Sequence, residues 1–147
     1  MNDDSYTAQV SPTYWHVLFL ERDFKHWYDV FTPRWCRHVL MYGYNARTGH
    51  WVWIDPSAEK TTVSILNDAD WELACETLAE RVSCRVLVKS GNGGFWRSRL
   101  ITTCSSALHR IIGVPGGALS PLMLYRTLLR NDGQLKDVKN VSQSKSP

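Results

Sequence analysis

Cys104, His38 and Asp55 are the residues of this sequence whose types and spacing suit acyl transfer through a thiol. Cys104 stands in "TTCSSALHRIIG", directly after two threonines able to cap a helix, and Cys104, Leu108, Ile111 and Ile112 recur at helical spacing. The thiol therefore opens an apolar stripe that should pack against a sheet. In the first turn of a helix the unpaired N–H groups and the helix dipole favour an anion. They stabilise a thiolate and can donate to the oxyanion formed when it attacks a carbonyl. An imidazole in reach would take the thiol proton, and a carboxylate behind it would hold the ring.

His38 and Asp55 belong to a hairpin pattern, "CRHVLMYGY" and "HWVWID" joined by "NARTG". With Tyr44 facing Trp51, Asp55 falls opposite Leu40 and diagonal to His38; with Tyr42 facing Trp51, it falls directly opposite His38. Both registers set the two side chains on one face, the diagonal separation being about 7–8 Å between Cα atoms. A register shifted by a single residue would part them. The trio further requires that face to be the one the Cys104 helix covers. Each residue also has a purely structural reading: a small buried hydrophobe for Cys104, a satisfied polar group for His38, a strand-ending turn for Asp55-Pro56.

Other candidates are weaker. Cys36 and His38 share a strand face, but Cys75 and Cys84 lack the close paired spacing of a zinc module, so no metal and no cofactor is expected. His109 lies five residues beyond Cys104 and points away from it; His16 on the first strand is the remaining candidate base. "SGNGGF" lacks the Lys-Ser/Thr end of a phosphate loop and reads as a hairpin turn.

These residues have to be positioned by an α+β domain. "YWHVLFL", "TTVSIL", "CRVLVKS" and "FWRSRLI" read as further strands. "ERDFKHWYDVF" reads as a short helix, "DADWELACETLAERV" as a helix capped by Asp68 with Cys75 in its apolar stripe, and "SPLMLYRTLLR" as a helix capped by Ser120 with Pro121 in its first turn. The alternation of periods predicts a mainly antiparallel sheet packed against helices. The chain divides into an N-terminal arm, 1–13, a single domain, 14–130, and a polar tail, 131–147, carrying Lys136, Lys139 and Lys145.

The 147 residues, 44% apolar, suit one domain with one sizeable core. A net charge of +3 without basic-aromatic interleaving does not point to nucleic acid. No run is apolar and long enough to span a membrane, no leader is expected, and the four cysteines read as reduced thiols. The seven tryptophans read as fillers of a small core or interface ahead of stacking platforms for bases or sugars.

In its order, "RH" on a strand, "DP" after the partner strand, "TC" at a helix start and then "SPLMLYRTL", the chain resembles the small permuted papain-like proteins related to the NlpC-type cysteine peptidases, many of them encoded by phages and prophages. In that group the histidine strand precedes the cysteine helix, the reverse of ordinary papain-like enzymes. The resemblance spans about residues 15 to 130 and rests on short motifs. It implies a circularly permuted papain-like fold, with Cys104 as nucleophile, His38 as general base and Asp55 orienting it, acting on a peptide or other amide, cell-wall peptide included. Ser105 departs from the small apolar residue expected after the cysteine, and "SP" from an expected "TP". No side chain completes an oxyanion hole, which leaves the backbone N–H groups of Cys104 and Ser105. The alternative is a virion structural or adaptor protein that keeps the fold without turnover and holds other virion proteins or identical subunits through its arms and aromatic surface. Either belongs in the host cytoplasm or the virion.

Overall fold

Near-continuous apolar runs, buried on both faces, set the central strands, and a polar cap begins each α-helix. The computed structural model describes residues 12–23, 30–56, 60–91 and 103–136. Strands β1 (Tyr14–Leu20), β2 (His38–Asn45), β3 (His50–Pro56), β4 (Thr61–Leu66), β5 (Val82–Lys89) and β6 (Gln134–Lys136) form one sheet in the order β4-β3-β2-β1-β5-β6. All its pairings are antiparallel. Helices α1 (Asp68–Leu78), α2 (Cys104–Ile112) and α3 (Pro121–Arg130) pack on it. The expected α+β class with an antiparallel sheet is the observed one, and no helix among the described residues is long and apolar enough to cross a membrane.

The sheet has a helix layer on each face. Val17, Phe19, Val39, Met41 and Ile54 gather with Leu108 and Ile112 of α2 and Leu124 and Leu128 of α3. Leu18, Leu40, Tyr42, Trp51 and Trp53 gather on the other face with Trp71 and Cys75 of α1. Trp51 and Trp71 stack with ring centroids 3.9 Å apart and planes at 4°. Trp15, Trp51, Trp53 and Trp71 are buried and Trp35 packs against the core, so the described tryptophans are fillers and not a stacking platform.

Several boundaries differ from the sequence expectation. Cys36, expected to open the β2 strand and share its face with His38, instead ends a 3-10 turn, Arg34–Cys36, and packs in the core on the α2 side, so the two do not share a strand face. Helix α1 is capped by Asn67, whose side chain accepts the Asp70 N–H, and Asp68 lies inside the first turn. Its last expected turn is a 3-10 turn, Ala79–Arg81, ahead of β5. The polar tail is in part a strand: Asn131 and Gly133 both donate to Leu128 O, Asp132 takes a positive φ of 61°, and the chain turns back to lay Gln134–Lys136 against β5. That open strand edge supplied backbone partners that the tail's composition does not reveal. The expected arm 1–13 lies almost wholly outside the described residues, as do the middle of the helix expected at 21–31, the strand expected at 95–101 and the end of the tail.

Candidate active site

The hairpin holds the register in which Tyr44 faces Trp51, with Met41 facing Ile54 further along. Asp55, the penultimate residue of β3, therefore lies diagonal to His38, the first residue of β2, and His38 Nε2 and Asp55 Oδ1 meet at 2.9 Å. A carboxylate accepts, so the shared proton sits on Nε2 and leaves the Nδ1 lone pair as the basic site of the neutral ring. His38 is 19% exposed and Asp55 43%, so the pair is open to solvent. The segment leading into it is tied down: Arg37 donates from Nε to Thr32 O and from Nη1 to Arg22 O, both at 3.3 Å.

Cys104 is the first residue of α2, as its spacing predicts. Thr103 caps the helix, accepting the Ser106 N–H at 3.1 Å, while Ser106 Oγ accepts the Thr103 N–H at 2.9 Å. This reciprocal box satisfies Ser106 and leaves the N–H groups of Cys104 and Ser105 as the donors at the helix mouth. Gly113, in the left-handed conformation at φ 73°, closes the other end, where Ile112 O accepts the Gly91 N–H just beyond β5. Cys104 lies about 12 Å along the axis from that anchor. Its Sγ is half-buried, 3.8 Å from Ser105 Oγ.

The structure joins His38 to Asp55 but does not hydrogen-bond either to Cys104. Strand alternation gives the reason. His38 faces Leu20 across β1, and Asp55 alternates with Trp51 and Trp53, so both belong to the face covered by α1. Helix α2 lies over the opposite face, with Val39, Met41 and Ile54. The shared face required for a ready-made trio is thus not the one strand alternation assigns to the pair.

The remaining candidates are core groups. Burial pushes the thiols of Cys36 and Cys75 up to about 11 and about 12, and raises Cys84 as well. His16 is buried and stacked on Tyr42 at 4.9 Å; burial first, then the charges of Arg85 and Lys136, lower its pKa to about 3. Burial likewise lowers His109, whose Nε2 has no partner. Neither imidazole is placed to serve as a solvent-facing base. The turn expected at "SGNGGF" falls largely outside the described residues. Sequence reasoning missed Ser106 as the reciprocal half of the cap, although a hydroxyl three residues after Thr103 was a readable signal. Comparison with protein families, curated proteins and solved structures finds no match to this chain.

Proposed function

We propose that the chain is a thiol hydrolase of the permuted papain-like kind, in which Cys104 attacks an amide carbonyl and His38, held by Asp55, takes the thiol proton. The observation that carries this reading is the 2.9 Å hydrogen bond from His38 Nε2 to Asp55 Oδ1, which leaves Nδ1 basic. In the proposed reaction the Cys104 sulfur bonds to the carbonyl carbon, and the oxyanion takes the N–H groups of Cys104 and Ser105. The amine then leaves with the proton from His38, giving an acyl-enzyme. Water, deprotonated by the same imidazole, cleaves the thioester and frees the carboxylate. To do this, His38, the first residue of β2, must turn its ring round the start of the strand toward the face that α2 covers. Peptides, cell-wall peptides among them, are the proposed substrates, and a phage or prophage the proposed source.

A second reading, a virion structural or adaptor protein without turnover, is favoured by one observation: alternation puts Cys104 and the His38–Asp55 pair in different layers. Alkylation by iodoacetamide near neutral pH, mapped by peptide mass, separates the two. Under the hydrolase reading Cys104 reacts much faster than buried Cys75, and His38→Ala slows Cys104 about tenfold or more as the imidazole base is lost. A Cys104 rate indifferent to His38→Ala refutes the hydrolase and leaves the adaptor.

A further inference from the structure

We propose that β4 is the seam of a two-fold homodimer, in which it pairs antiparallel with β4 of a second copy and continues the sheet across the interface. Strand β4 is outermost in the sheet order, and none of the described strands pairs with its outer edge. Edge strands are normally blunted by a lysine, a proline or a bulge. The sequence of β4, TTVSIL, has no charge and no proline, and its pairing to β3 runs without a register shift. Val63 and Ile65 are 59% and 58% exposed. They lie opposite Ile54 and Val52 and so on the α2 face of the sheet.

The occupant is argued from self-complementarity. When two such strands run antiparallel about a two-fold axis at Ser64, Val63 of each copy faces Ile65 of the other, and Thr62 faces Leu66. Both exposed apolar residues then find a cross-strand partner on one face. A two-fold axis one residue away sets Val63 or Ile65 against itself and leaves the other facing Thr61 or Asn67. The ends of the strand are also complementary in charge: Lys60 precedes it, and Asp68 and Asp70 follow in the first turn of α1. Antiparallel pairing brings the basic end of each copy to the acidic end of the other, twice over, as an isologous interface requires. This inference is independent of any catalytic reading.

Sedimentation velocity on the full chain, from low to high micromolar concentration, tests it. The expected result is a concentration-dependent dimer whose dissociation constant rises more than about tenfold in the Val63→Lys, Ile65→Lys double variant, with an unchanged circular dichroism spectrum. Should that variant misfold, the register decides. A mixture of the Val63→Cys and Ile65→Cys single variants, oxidised with diamide, should form a disulfide-linked dimer above the wild-type background and well above either variant alone. A chain that stays monomeric throughout, a folded double variant that still dimerises, or a mixture that crosslinks no better than its components overturns the proposal.

Discussion

His38 Nε2 and Asp55 Oδ1 meet at 2.9 Å, tying the first residue of β2 to the penultimate residue of β3 at one end of the sheet. Because the carboxylate is 43% exposed, water screens the pair and its contribution to folding is below about 1 kcal/mol. Asp55→Ala should therefore leave thermal unfolding nearly unchanged while releasing the ring from its fixed tautomer. The rate of Cys104 acylation by a small activated ester should fall about tenfold or more, and Asp55→Asn, whose amide NH2 can donate to Nε2 and so put the ring proton on Nδ1, should fall at least as far. An unaltered rate in Asp55→Ala would show that the pair does no chemistry on Cys104.

Thr103 and Ser106 exchange two hydrogen bonds across the first turn of α2, and that turn carries Cys104. Replacing Thr103 with Ala removes the acceptor of the Ser106 N–H and should cost about 1 kcal/mol in urea unfolding. Thr103→Ser keeps the oxygen and should recover most of it. If the alanine and serine variants unfold alike, the cap contributes nothing measurable.

What was legible in the sequence follows from how local the cause is. The hairpin register could be read because aromatic residues at Tyr44 and Trp51 and the short connector fix strand parity together, and parity alone put His38 beside Asp55. The start of α2 could be read because Thr103 is a cap and Leu108 and Ile112 repeat at helical spacing. The face on which α2 lies could not be read: both faces of β2 are apolar, Val39 and Met41 on one and Leu40 and Tyr42 on the other. A strand buried on both sides does not say which helix covers which face. Strand β6 was hidden for a related reason, since Gln134–Lys136 pairs through its backbone and its side chains carry no strand pattern.

Trp71 stacks on Trp51 at 3.9 Å, and Trp51 Nε1 donates to Asp68 Oδ1 at 2.9 Å, so one ring pair fastens α1 to β3. Trp71→Ala empties a fully enclosed site and should cost about 3–5 kcal/mol, while Trp71→Phe keeps a ring there and should cost less. Near-ultraviolet circular dichroism should lose the contribution of the stacked indoles in both variants. A cost under 1 kcal/mol for the alanine variant would mean that α1 is not fastened to the sheet at this point.

His16 gives the fold an acid sensitivity of defined sign. Its folded-state pKa is lowered to about 3 from 6.5 by burial and by the charges of Arg85 and Lys136. Between those values the unfolded chain binds a proton that the folded chain refuses, so this residue makes stability fall as pH drops below 6.5, by up to about 1.4 kcal/mol per pH unit. Above pH 6.5 the imidazole is neutral in both states and contributes no slope. Urea unfolding at pH 7.5 and pH 5 should thus show a loss at the lower pH, and His16→Gln, which cannot titrate, should remove up to about 2 kcal/mol of that difference. His16→Phe, keeping a ring against Tyr42, should flatten the slope equally and separate the proton's effect from the stack's. If both variants keep the wild-type slope, the acid sensitivity originates in other groups and His16 accepts its proton in the folded state.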